Sequence, residues 1–157
     1  MNDAQQRRLD PLEGTFRAKL RFWMGPGDPT TSSGLMVNEF ELNRTFLRQT
    51  YRGDPTGDPF GAFEGRGYWG YNSAEERFET FWIDTASSIM QFESGQLDPS
   101  GKVWTMTGKM AQPRGDGTIT KRSVTTLGDA DHHRMEIYMD FGEGETKTME
   151  ISFERIK

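Results

Sequence analysis

"GTFRAKLRFWM", residues 14–24, alternates with a period of two. Phe16, Ala18, Leu20, Phe22 and Met24 share one parity, and Thr15, Arg17, Lys19 and Arg21 share the other. Side chains of a β-strand point to opposite faces in turn, so this is a strand with one dry and one wet face. The dry face must look at a solid core or at a cavity. The same pattern recurs further along the chain. Trp104, Met106, Gly108 and Met110 oppose Thr105, Thr107 and Lys109. Met135, Ile137, Met139 and Phe141 oppose Arg134, Glu136 and Asp140. Met149, Ile151 and Phe153 oppose Thr148, Glu150 and Ser152.

Between such segments lie nine clusters of Gly, Pro, Asn, Asp and Ser, among them "GPGDPTTSSG" (25–34), "GDPTGDP" (53–59), "LDPSGK" (97–102) and "GEGE" (142–145). These residue types supply the backbone conformations and local hydrogen bonds that turns require. The breaks predict ten strands: 14–24, 34–42, 45–52, 60–71, 77–85, 88–97, 102–111, 118–127, 132–141 and 146–156. Parity is ambiguous in 45–52 and 118–127. No long amphipathic helix is visible. In "DAQQRRLDPLEG" (3–14), Pro11 limits any helix to a turn or two.

Short connections imply sequential antiparallel pairing. An open ten-stranded sheet would leave two unpaired edges, and closure removes both. The expected fold is therefore all-β: a closed antiparallel up-and-down barrel over 14–157, preceded by a segment, 1–13, with a short helical turn. A barrel of this strand number encloses room for one small ligand. Gly65, Gly67 and Gly70 in "FEGRGYWGYN" (63–72) point to a sharp bend or bulge, or to another group lying close against the backbone.

The chain has 157 residues, a net charge of −5 and no cysteine. The acidic balance and scattered Lys and Arg argue against a nucleic-acid groove. Without cysteine there is no disulfide framework and no thiolate metal site or nucleophile, which suits a reducing cytoplasm. No apolar run approaches the ~20 residues of a membrane-spanning helix, and "MNDAQQRRLD" lacks the apolar stretch of a signal peptide.

"LEGTFRAKLRFWMGPGDP", "GRGYWGYNSAEERFETFWIDT", "GQLDPSGKVWTMTGKM" and "TKTMEISFERIK" together resemble DUF1579, a family of small uncharacterised bacterial proteins. The resemblance runs in order along nearly the whole chain. It implies a calycin-type, lipocalin-like barrel and carries no assigned reaction. Lipocalin-like barrels often place a Gly-x-Trp in the first strand beneath a basic residue of the last. Here Gly14-Thr15-Phe16 and Arg155 match that pattern, with Phe for Trp. The implied role is a structural clasp, in which a cation lies over the ring of Phe16.

Candidate chemistry centres on "FWIDTASSIMQFESG" (81–95). Trp82 and Asp84 share a parity, as do Gln91 and Glu93 across the next turn. Turned inward, two carboxylates and an indole would face one lumen, where buried carboxylates need countercharge. Arg122, on a parity with Val124, and Arg48 are the expected partners; the alternative is that Asp84 ends its strand in a turn and Glu93 is solvated. Methionines recur at inward positions, and Met suits surfaces that adapt to varied apolar partners. The expected ligand site is Tyr68, Trp82, Trp104, Met106 and Met135 as walls, with Asp84, Glu93 and Arg122 as polar anchor. Ordinary core filling is the competing explanation of the same residues.

Other chemistries fare worse. His132 and His133 in "DADHHRME" (129–136) are adjacent on a strand, so they face opposite ways and cannot share an ion without distortion. No metal, haem or other cofactor is expected, although some similar ten-stranded barrels hold haem through one histidine. There is no Gly-x-Ser-x-Gly elbow and no inward histidine is signalled, so no catalytic residue is assigned. "GDPTGDPFGAFEG" (53–65) has glycines but no helix to follow, and is expected to be a hairpin loop over the barrel mouth. The favoured function is binding of a small, mostly apolar molecule, with neither nucleic acid nor membrane as partner. The alternatives are a non-binding barrel that self-associates, as a homodimer, through outward residues such as Trp23, Phe81 and Ile83, and an enzyme using Asp84 and Glu93.

Overall fold

The computed structural model describes residues 4–55, 62–112 and 115–156. Ten strands follow a short 3-10 helix, Gln6–Leu12. They are β1 (Gly14–Phe22), β2 (Thr30–Glu41), β3 (Phe46–Gly53), β4 (Glu64–Asn72), β5 (Arg77–Asp84), β6 (Gln91–Leu97), β7 (Val103–Ala111), β8 (Thr118–Leu127), β9 (His132–Asp140) and β10 (Glu145–Arg155). Each pairs antiparallel with its neighbour in sequence, and β1 pairs with β10 to close the barrel. The expected barrel is the observed one. β2 starts at Thr30 rather than at residue 34, because Thr30–Ser33 pair with Lys19–Phe22 of β1 despite their turn-like composition. The expected loop over 53–65 lies partly outside the described residues.

The alternation of β1 is reproduced: Phe16, Ala18, Leu20 and Phe22 are buried, and Arg17, Lys19 and Arg21 are exposed. Two layers of buried side chains occupy the interior. At one end the 3-10 helix inserts Leu9 and Leu12 among Leu47, Trp69, Phe78, Trp104 and Met106. Polar pegs fix this plug: Asn38 Nδ2 donates to the Leu12 carbonyl at 2.8 Å, and Gln6 Nε2 to the Arg44 carbonyl at 2.6 Å. Burial of the two leucines is worth about 2–3 kcal/mol each. The second layer gathers Phe16, Ala18, Leu20, Met36, Tyr51, Ile151 and Phe153.

The clasp forms. Phe16 and Arg155 are cross-strand partners, and the guanidinium carbon lies 4.7 Å from the ring centroid. Arg155 also donates to the carbonyls of Glu13 at 2.6 Å and Pro11 at 3.0 Å, tying the last strand to the chain entering the first. A Cβ at Gly14 would overlap this guanidinium.

His133 departs from expectation. His132 opens β9 on the exposed face and bonds Asp129, whereas His133 is buried, stacked on Phe153 at 4.5 Å and edge-on to Phe16 at 4.7 Å. Burial, reinforced by the nearby charge of Arg155, pushes its pKa down to about 4. It is a neutral aromatic part of the clasp. No helix among the described residues is long and apolar enough to cross a membrane.

Candidate functional site

The half of the barrel away from the 3-10 helix is only partly filled by its cluster of buried side chains. A cavity of about 260 Å³ lies there, bounded by the C-terminal parts of β1, β3, β5 and β9 and the N-terminal parts of β6 and β10. It is slightly smaller than the ~300–1,000 Å³ typical of drug-sized ligand sites. Its walls are mostly apolar, with Leu20, Met36, Phe63, Trp82, Met135 and Met149 prominent. A register shift in β10 between Lys147 and Met149 lets Thr148, expected on the wet face, reach the lumen beside Met149.

Trp82 owes its position to the glycines of β4. A Cβ at Gly65 would overlap the indole, and one at Gly67 would lie 2.7 Å from its Cε3. The glycines thus clear a shelf for the ring; the group approaching the backbone belongs to the protein itself. Trp82 Nε1 donates to Asp84 Oδ2 at 2.9 Å, two residues on and on the same face. The other oxygen of Asp84 accepts the Ala86 amide at 2.9 Å.

Deeper in the lumen, Glu93 Oε1 accepts the Ser123 hydroxyl at 2.8 Å and lies 3.9 Å from Lys121 Nζ. Both side chains of this ion pair are less than a tenth exposed. Lys121 donates to Gln91 Oε1 at 2.9 Å. Burial pushes the Glu93 carboxyl up and the Lys121 ammonium down, while each charge opposes the shift of the other. The charge of Asp84 also supports the ammonium.

Four of the eight expected site residues, Trp82, Asp84, Glu93 and Met135, meet at this cavity. Trp104 and Met106 point inward as expected, but both are fully buried in the layer sealed by the 3-10 helix and form no wall of the cavity. Tyr68 and Arg122 are on the outside. Tyr68 shares its strand with inward Trp69, so its parity is outer; it bonds Glu41 and stacks on Phe81 at 5.5 Å. Arg122 forms an ion pair with Glu145 at 2.6 Å and lies over Tyr138 at 4.2 Å. Arg48 is likewise outside, paired with Glu39 and Glu41 at 2.7 and 2.6 Å.

The countercharge is instead Lys121, one residue from Arg122. On β8 the buried set is Ile119, Lys121, Ser123 and Thr125, three of them polar, so hydrophobicity did not mark the inner face. The signal was the parity shared with Ile119. Met24 and Phe141, placed inward by the sequence pattern, are exposed in loops just beyond strand ends. Of the outward candidates, Trp23 is covered by Arg21 and Lys147, whose charged groups lie 5.4 and 5.8 Å from its ring. Phe81 and Ile83 do face outward, beside Phe92.

A family model described as "Protein of unknown function (DUF1579)" matches residues 2–155. No curated protein sequence matches the chain. Among solved structures, Rv2717c from M. tuberculosis superposes with a TM-score of 0.71 at 14% identity, covering 99% of both chains. The S-type phycobiliprotein lyase CPES from Guillardia theta superposes with a TM-score of 0.67 at 10% identity, covering 99% of this chain and 94% of the other. At these identities the likeness is one of fold.

Proposed function

The chain belongs to the DUF1579 family, and from its half-filled barrel we propose that it binds a small, mostly apolar molecule in the lumen. The single observation that carries this reading is the cavity of about 260 Å³, walled mostly by apolar side chains, beside the buried layer of Leu9, Leu12 and Trp104. Barrels close-pack readily when nothing needs to enter, and an apolar void forfeits contacts on every side. Here one layer is sealed by leucines and aromatics, while the other keeps flexible Met36, Met135 and Met149 around open space. A few convergent polar groups, Asp84, Gln91, Glu93, Lys121 and Ser123, add the orienting contacts typical of small-molecule sites. One protein of similar fold is a phycobiliprotein lyase, which accords with a barrel of this kind serving a ligand.

Native mass spectrometry of protein isolated directly from cells tests the reading. A non-covalent adduct that disappears in Met135→Trp, which fills the cavity, is the expected result. Protein that carries no adduct and binds no apolar probe would refute it.

A second reading, self-association, has its own observation. Tyr68, Phe81 and Phe92 form a continuous outer row across β4, β5 and β6, with Phe92 60% exposed. Contiguous apolar surface of this kind marks interfaces. Sedimentation of the wild type and Phe92→Lys over a range of concentrations decides it: a dimer that dissociates in the variant supports the reading, and a monomer throughout removes it.

A further inference from the structure

We infer that the occupant of the lumen carries a positive charge: an apolar amine or ammonium whose head group rests between Asp84 and the indole of Trp82. The inference builds on the proposed ligand-binding role and narrows it to one chemical class.

The argument is a charge count. The charged side chains lining the cavity are Asp84, Glu93 and Lys121, two carboxylates and one ammonium. Lys121 is committed, with Glu93 at 3.9 Å and Gln91 at 2.9 Å. Asp84 has no close ion pair among the described residues: its oxygens accept the Trp82 indole and the Ala86 amide, and Lys121, held by Glu93, acts on it only from beyond ion-pair distance. The lumen therefore carries one uncompensated negative charge. Protonating Glu93 brings the total to zero and never above it. A ligand carboxylate would either add to this negative field or have to displace Glu93 from Lys121, which charge burial penalises. An ammonium brings the lumen to neutrality.

Geometry adds to the count. Asp84 ends β5, and it and Trp82 line the cavity while remaining partly exposed, so a ligand can leave a charged head there and lay its apolar part against Met135 and Met149. The indole is held in place by its bond to Asp84 and by the shelf of Gly65 and Gly67. An indole is the strongest aromatic partner for a cation. Anion and aromatic face are thus supplied by residues two apart on one strand.

The test compares octylamine, octanol and octanoate, which share one chain and differ in head group, by isothermal titration calorimetry at neutral pH. Octylamine is expected to bind at least tenfold more tightly than octanoate (about 1.4 kcal/mol), with octanol between. In Asp84→Asn, checked for folding by circular dichroism, octylamine should fall to within about twofold of octanol, whose own affinity stays unchanged. Asp84→Glu keeps the charge and should keep the preference. Octanoate binding as tightly as octylamine overturns the charge assignment while leaving the apolar-ligand reading standing. So does an amine preference that survives Asp84→Asn. Binding of none of the three overturns the apolar-ligand reading, and this inference with it.

Discussion

Replacing Lys121 by methionine removes the ammonium and keeps most of the length of the side chain. Glu93 retains the Ser123 hydroxyl at 2.8 Å and loses the charge at 3.9 Å. Breaking a fully buried pair by removing one partner costs about 3–5 kcal/mol. Because this pair borders an open cavity, about 2–3 kcal/mol is expected at pH 8, a discount for solvent access. The cost depends on pH in a way that identifies its origin. Burial already raises the Glu93 carboxyl, and Lys121 is the charge that opposes the rise. Without Lys121 the folded-state pKa climbs further. Between the unfolded value near ~4.3 and the raised folded value, the folded state holds a proton that the unfolded state releases. Stability in that window falls as pH rises, by up to about 1.4 kcal/mol per pH unit. Urea unfolding followed by circular dichroism at pH 5 and pH 8 should therefore show a deficit at least about 1 kcal/mol larger at the higher pH. The double variant Lys121→Met/Glu93→Gln should return to within about 1 kcal/mol of wild type at both. Equal deficits at the two pH values, or a double variant no better than the single, would refute the account.

Other expectations follow from the same physics. His133, with a pKa of about 4 when folded and ~6.5 unfolded, gives stability that is present above the unfolded value and lost as pH falls towards 4; His133→Phe should remove a loss of up to roughly 3 kcal/mol between pH 7 and pH 4, read by denaturant titration at each pH. Gly65→Ala should cost at least about 2 kcal/mol by forcing the Trp82 ring from its shelf, and the cost should shrink in a Trp82→Leu background, as a double-mutant cycle would show. Arg155→Met should lower the unfolding free energy by about 2–3 kcal/mol, through loss of its charge-assisted bonds to the Glu13 and Pro11 carbonyls. Arg122→Met, on the outer face, should leave the affinity for octylamine unchanged, measured by the same calorimetry.

The architecture was legible because it rests on local patterns repeated ten times. Period-two alternation in β1, β7, β9 and β10 and turn chemistry between strands leave little freedom of topology once the edges must close. The clasp was legible through a resemblance that placed Phe16 against Arg155. The site was legible where residues of one parity were taken together, as at Trp82 with Asp84 and Gln91 with Glu93. It failed in two physically distinct ways. On β8 the inward face is polar, so Lys121 and Arg122 could not be told apart by hydrophobicity. On β4 aromatics occupy both faces, so Tyr68 and Trp69 could not be told apart either. Trp104 and Met106 failed differently: their parity was right, but which layer is solid depends on a helix that arrives from another part of the sequence and fills one end.

Nine of the ten strand pairings join sequence neighbours and can form by successive hairpin closures; the tenth joins residues 16–22 to 149–155. During synthesis the first strand must therefore wait, its Ser- and Thr-rich partner β2 on one side and nothing on the other, until β10 has left the ribosome. Its free edge through that interval is guarded by Arg17, Lys19 and Arg21, whose charges discourage pairing with a stray strand. The same basic side chains that make its outer face wet thus act as temporary gatekeepers, and neutralising them would be felt in the yield of folded protein before it is felt in the finished barrel.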